Sequence, residues 1–365
     1  MPAKHFEPCF TGLWQPRHLP MRFLVVAILL CASCEKSTRN WTRPTGLSAE
    51  EAVVSTNAAL ETLYAQGFES ERLDLVNGGL LVGARFNGHE KKMLLDTGAT
   101  FSSIGKGRAE TFGLLIGDFS NEEDKVFVTW LDVLKGQQLA LARSFQVAGY
   151  DYSPWVFGTH ESLRGDPLLG SEYLRFSAAV IFTRFRFLAI QPDGIPAKSL
   201  VKLLKGHGFA ELPMHGWDYS ATLKIKRGKG TPIKFGVPYV NVKMNGRSGR
   251  MLVDTGAHMS IVYRDLVADK ANEFYRYQDS ASIDAAGNRQ DKYAVLLENL
   301  VINDAYQVKH QSLFNAKDIS KRKAKMQELG LAEDNLDMGA LGLDFLVEHN
   351  AIIDMGNMTL YLRFN

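Results

Sequence analysis

Apolar and polar positions alternate in short runs over most of the chain, and one pattern occurs twice. Leu80 to Ile104 (LLVGARFNGHEKKMLLDTGATFSSI) overlays Pro238 to Val262 (PYVNVKMNGRSGRMLVDTGAHMSIV) without a gap, at a constant offset of 158 residues. Each copy reads as an alternating strand, an Asn-Gly turn (Asn87-Gly88, Asn245-Gly246) and a continuous apolar strand (Met93-Leu94-Leu95, Met251-Leu252-Val253) that ends in an acid. The acids, Asp96 and Asp254, therefore sit where a buried strand opens into a loop. Further on, Leu168-Leu169-Gly170 is echoed by Ala340-Leu341-Gly342, and β-rich tails follow at Ala179 to Ile190 and Ala351 to Phe364. Both halves are predicted to be mostly β.

The later glycine comes 74 residues after Asp96 but 88 residues after Asp254, so the second half carries an insertion. The charged stretch Asn315 to Asn335 is its expected seat, as a solvated surface helix, with partner binding as the alternative. Ahead of the repeat, Ser48 with Glu51 fits a helix-capping box. Ala52, Val53, Ala59, Leu60 and Leu63 supply one apolar face before Gly67, which predicts a packing helix. Gln191 to Gly236 is rich in Gly, Lys and Pro, holds one apolar helical patch at Leu200 to Leu204, and reads as a linker with a strand near Ala221 to Ile225.

The N-terminus reads as a leader. Met21 to Ser33 has one basic residue, a short apolar run and then small residues, as a signal peptide does. The apolar core Phe23 to Leu30 is far shorter than the roughly 20 residues a membrane-spanning helix needs. Cys31-Ala32-Ser33-Cys34 resembles a bacterial lipoprotein cleavage box, with Cys31 where Leu is usual. Lipidation of Cys34 is the expectation, cleavage by ordinary signal peptidase the alternative, and Met21 is a second candidate start. Glu35 to Gly46 has the composition of a tether. The expected divisions are 1–34 leader, 35–72 tether and helix, 73–192 first lobe, 193–234 linker and 235–365 second lobe. The expected location is the bacterial envelope, facing the periplasm.

Composition narrows the choice of function. Of the 365 residues 45% are apolar, and the formal charge of +2 is too small to make the basic field that nucleic acids select, so no nucleic-acid partner is expected. The three cysteines, Cys9, Cys31 and Cys34, all lie at or before the leader junction, which leaves the body without an internal disulfide. No Gly-rich phosphate loop or His/Cys metal cluster is evident, so neither a metal nor a cofactor is expected.

Two related loops that each present an acid suit hydrolysis without a metal. Carboxyls held about 3 Å apart cannot both ionise cheaply, so the pair carries one acid and one base. One then deprotonates a water while the other polarises the substrate carbonyl. Gly98 and Gly256 let the loops turn tightly and offer amides to the carboxylates, and Thr97 and Thr255 can brace the loops across a two-fold axis. Phosphoryl transferases also place an Asp near Thr and Gly, but theirs is followed by Lys and occurs once, and glycosidase carboxylates need no symmetric partner.

These strands, LLDTGATFSSI and MLVDTGAHMSIV, resemble the active-site strands of pepsin-type and retropepsin-type aspartic proteases, and the LLG and ALG triplets resemble the element that crosses behind those loops. The similarity runs over Leu73 to Pro192 and Phe235 to Asn365. It implies two pseudo-symmetric β-barrel lobes, an endopeptidase with Asp96 and Asp254 as catalytic residues, and a peptide or protein substrate. Ala99 and Ala257, the retropepsin choice, together with the small lobes, imply a fused retropepsin-like dimer in which one chain is a complete, monomeric unit, with a mildly acidic optimum. The cleft-covering hairpins of such a protein would fall at Val126 to Phe145, with Trp130 as a candidate pocket residue, and at Ala281 to Leu296, turning at Ala285-Ala286-Gly287-Asn288. His258, beside the dyad, receives no role, and Arg164-Gly165-Asp166 reads as a plain loop. The rival expectation is a protease-like fold kept as a non-catalytic peptide-binding or scaffolding lipoprotein.

Overall fold

A computed structural model of the chain describes residues 48–118, 126–128, 133–217, 226–227, 231–232, 236–244, 246–267, 275–284, 287–297, 299–308, 312–328 and 337–363. The leader with Cys34, the tether, Trp130, Asn245, Ala285-Ala286, the 221–225 stretch and the end of the insertion lie outside the described residues.

Each repeat folds as its pattern dictates. Gly79–Phe86 pairs antiparallel with His89–Leu95, and Leu80, Val82, Ala84 and Phe86 turn inward while Gly83 and Arg85 face solvent. Asn87 (φ 47°) and Gly88 (φ 89°) both take the left-handed conformation that a tight hairpin needs if its turn is to match the strand twist. In the second repeat Val237–Met244 pairs with Arg247–Val253, burying Val240, Val242 and Met244. Each hairpin belongs to a separate ten-stranded sheet curled around its own lobe.

A six-stranded sheet joins the lobes. Its order is Glu69–Arg72, Phe187–Ile190, Val180–Phe182, Ile352–Asp354, Thr359–Arg363, Phe209–Pro213. The central contact is antiparallel with Ile181 opposite Ile353, so three strands from each lobe meet about a local two-fold axis. The N-terminal helix Ala49–Tyr64 and the helix Leu200–Gly206 cover this sheet. Ala59, Leu60, Leu63, Leu200 and Leu204 form one apolar cluster with Phe182, Phe209 and Tyr361. The capping box is present: Glu51 N donates to Ser48 Oγ, and Ser48 N donates to Glu51 Oε2, both at 3.1 Å.

The repeat is longer than its sequence shows. The stretch expected to be a linker holds a helix and two strands of the lobe-two architecture. Phe209–Pro213 is a sheet edge, and His215–Trp217 pairs with Val237–Met244 as Asp74–Val76 pairs with Gly79–Phe86. Glu69–Arg72, expected within the tether and helix region, is the matching edge in lobe one. As an edge strand reading ESER it has no apolar alternation to reveal it.

Two other expectations shift. Asn315, Ala316 and Lys317, expected to open the insertion, lie in the core strand Ser312–Lys317, which pairs with Ile261–Tyr263 and Arg289–Leu297. The insertion proper is the helix Ser320–Glu328. Arg322 pins it: its Nη2 donates to Tyr263 Oη at 3.1 Å, and that hydroxyl donates to Asp337 Oδ2 at 2.6 Å. In the first covering hairpin only Val126–Val128 and Val133–Lys135 pair with each other. Gln138–Ala142 and Phe145–Val147 are body strands, with Ala140, Ala142 and Phe145 fully buried. The second hairpin, Tyr275–Ile283 with Arg289–Leu297, closes at Asp284, whose amide donates to Asn288 O and whose Oδ1 accepts from Asn288 N. The insertion helix of lobe two runs beside Val133–Lys135 of lobe one. None of the described helices is long and apolar enough to cross a membrane.

Candidate active site

Each acid is fixed by the strand that crosses behind it. Leu168–Leu169 pairs parallel with the strand ending at Leu95 and antiparallel with Ser103–Gly105, so the Asp96 loop is held between them. Asp337–Leu341 does the same between Arg247–Val253 and Ile261–Tyr263. Asp96 N donates to Leu169 O and Asp254 N to Leu341 O, both at 3.0 Å. Ser171 N and Leu343 N then donate to Ala99 O and Ala257 O, both at 2.8 Å. Gly170 and Gly342 must be glycine for these crossings, because an added Cβ would stand 2.6 Å from the Ser102 amide nitrogen and 2.6 Å from that of Ser260.

The two loops lock into each other. Thr97 N donates to Thr255 Oγ1 (3.1 Å) and Thr255 N to Thr97 Oγ1 (3.0 Å). Each hydroxyl passes its own proton to the opposite strand, Thr97 Oγ1 to Val253 O at 2.6 Å and Thr255 Oγ1 to Leu95 O at 2.7 Å. Both threonines are fully buried, so these bonds form without competition from water. Thr97 and Thr255, the residues expected to brace the loops, each donate two bonds to the opposite lobe.

The carboxyls meet at the axis. A Cβ on Gly98 would lie 2.4 Å from the Asp254 carboxyl carbon, and one on Gly256 2.4 Å from that of Asp96. Each glycine therefore clears room for the opposite acid. Asp254 Oδ1 accepts from the amides of Gly256 (2.8 Å) and Ala257 (3.1 Å), and Asp96 Oδ1 from that of Ala99 (2.9 Å). Asp254 is buried and Asp96 keeps part of its surface open. Burial pushes the Asp96 carboxyl well above the ordinary carboxylate range. The Asp254 charge and a hydrogen bond between the two acids raise it further, against a smaller pull from the Ala99 and Gly98 amides. The pair therefore retains a shared proton where isolated carboxyls would both be ionised.

Several supports were not read from the sequence. Ser102 and Ser260, six residues beyond each acid, accept from Gly170 N and Gly342 N at 2.9 Å. Their own amides donate to Glu172 and Asp344, both at 2.8 Å. The sequence signal was available, since Ser102 falls on Ser260 in the repeat and each acid lies two residues past its glycine. His258 reaches across the lobes, its Nδ1 3.2 Å from Gly78 O. Gly78 (φ 79°) admits the ring, because a Cβ there would overlap it at 2.0 Å. Among the described residues no three His, Cys, Asp or Glu side chains gather closely enough to hold a metal ion.

No family model matches the chain, and no curated protein sequence matches it. Among solved structures it is similar to an aspartic proteinase from Irpex lacteus, at 12% identity and a TM-score of 0.44, over 82% of this chain and 97% of that one. It is also similar to a retropepsin-like aspartic protease from Rickettsia conorii, at 18% identity and a TM-score of 0.25, over 34% of this chain and 91% of that one.

Proposed function

We propose that the chain is an aspartic endopeptidase that hydrolyses peptide bonds with a water held between Asp96 and Asp254. The observation that carries this reading is the crossed Thr97–Thr255 lattice, which brings two acids from two lobes together with each facing the other's glycine. With the shared proton on Asp96 and two amides favouring charge on Asp254, Asp254 takes a proton from the water, whose oxygen attacks the carbonyl carbon. Asp96 gives its proton to the carbonyl oxygen, forming a neutral tetrahedral diol. In the second step Asp254 returns its proton to the leaving nitrogen, Asp96 recovers one from a diol hydroxyl, and the C–N bond breaks. The Val126–Lys135 and Tyr275–Leu297 hairpins would cover an extended peptide and pair with its backbone.

Each chain supplies both acids, so the catalytic unit is a monomer. Cys34 would anchor it to the bacterial envelope through acyl chains, of which two are needed for stable attachment. Labelling with a fatty-acid analogue should mark the wild type and not Cys34→Ser.

The test of the activity is digestion of a proteome-derived peptide library by the purified protein from acid to neutral pH, with products read by mass spectrometry. New internal termini, suppressed by a peptide carrying a hydroxyl-bearing tetrahedral isostere, are expected. A library left intact at every pH would overturn the activity, and retention of uncleaved peptides would favour a binding module in its place.

A further inference from the structure

Behind the two acid loops lies a second pair of carboxyls that the mechanism does not use. Glu172 and Asp344 stand two residues past Gly170 and Gly342, and each receives the amide of a serine from its acid loop. Their surroundings differ. Asp344 Oδ1 also accepts from Ser260 Oγ and Phe345 N, both at 2.7 Å; burial raises this carboxyl above the ordinary range, and these donors, with His258, oppose the rise. Glu172 is 1% exposed, and its Oε2 has no hydrogen-bond partner among the described residues. That oxygen lies against Gly170, where a Cβ would approach it to 2.5 Å.

Resting on the protease reading, we propose that Glu172 is a positioning residue whose neutral carboxylic acid holds the Asp96 loop, and that its ionisation sets the upper pH limit of the site. The groups that act on it are the Ser102 hydroxyl and amide and the amides of Tyr173 and Glu172 itself, and Gly170 lies against its Oε2. None of these carries a charge. A buried carboxylate with one bare oxygen is far costlier than the neutral acid. Burial accordingly pushes Glu172 up to about 7. The Ser102 amide that Glu172 holds precedes the strand Ser103–Gly105, and the Ser102 hydroxyl holds Gly170 N at 2.9 Å, so strain at Glu172 passes to both sides of the Asp96 loop. Asp344, with three donors on one oxygen, braces the Asp254 loop.

The sign follows from proton linkage. The folded value of about 7 lies above the ordinary 4.5, so between them the native state holds a proton that the unfolded chain has released. Stability from this group is full below the lower value and is lost as pH rises towards the upper one.

Glu172→Gln keeps the acceptor for Ser102 N and removes the titration. The full chain and the variant are compared by urea unfolding midpoint against pH, and by kcat and KM against pH on one cleaved peptide. The wild-type midpoint should fall across this interval more steeply than that of the variant. The alkaline limb of kcat should move to higher pH by about one unit in E172Q, a tenfold change in proton concentration, with KM little changed. Parallel midpoint curves, or superimposable kcat limbs, would overturn the proposal. Divergent midpoints in a chain that cleaves nothing would keep the brace and defeat the protease reading, so the two failures are distinct. Should E172Q fail to fold, ¹³C-carboxyl NMR of glutamate-labelled wild type decides: a carboxyl titrating near 7 supports the brace, and none doing so overturns it.

Discussion

In lobe one the Asp96 loop hangs from Leu169 O, Ser171 N and Thr255. In lobe two the Asp254 loop hangs from Leu341 O, Leu343 N and Thr97, with corresponding distances that agree to about 0.1 Å. Away from these loops the lobes diverge. Lobe one braces its loop with a carboxyl that has a bare oxygen, lobe two with one that has three donors on a single oxygen. Among the described residues lobe two alone carries an inserted helix, Ser320–Glu328, pinned through Arg322. Symmetry persists where two carboxyls must share one proton, because a shift of either acid spoils both. It lapses where a side chain serves one lobe only.

The largest effect should come from the glycines that face the opposite acid. Gly98→Ala and Gly256→Ala each force a carboxyl to move, and a displacement near 1 Å is expected to cost about 100-fold in kcat/KM. Comparable losses would uphold the symmetry, and a marked preference for one lobe would break it. Next come Thr97→Val and Thr255→Val, which each strand a buried amide and a buried carbonyl, for a loss of about 3 kcal/mol in urea unfolding.

Arg322→Ala sharpens the asymmetric side of the comparison. Removing its bond to Tyr263 should cost about 2 kcal/mol, with faster amide exchange confined to lobe two. Exchange that rises equally in both lobes would contradict a local anchor. The smallest effect separates the two helices over the central sheet. Ser48→Ala should cost about 1 kcal/mol because it removes a formed cap. Ser199→Ala should change stability by less than about 0.5 kcal/mol, because the Ser199 side chain makes no capping bond.

What the sequence revealed follows the same division. The acids, their glycines and threonines, the crossing triplets and the inward residues of each hairpin were legible because backbone geometry permits few alternatives there. The edge strand Glu69–Arg72 was hidden by its short length and polar content, and Phe209–Pro213 by its short length within a stretch rich in Gly, Lys and Pro. Asn315 and Lys317 misled because polar side chains in a core strand look like surface until their strand partners are known. Glu172 and Asp344 carry no local mark of burial, and only their matching places two residues past Gly170 and Gly342 relate them in the sequence.

The central claim is that Asp96 and Asp254 act as one unit, and a double-mutant cycle tests it most directly. Asp96→Asn, Asp254→Asn and the double variant are compared with wild type on one cleaved peptide, with folding checked by circular dichroism. Each single change should lower kcat by about 1,000-fold or more, and the double variant should be no worse than either, because removing one member already disables the other. Substantial activity in either folded single variant, or losses that multiply in the double, would contradict the shared-proton dyad.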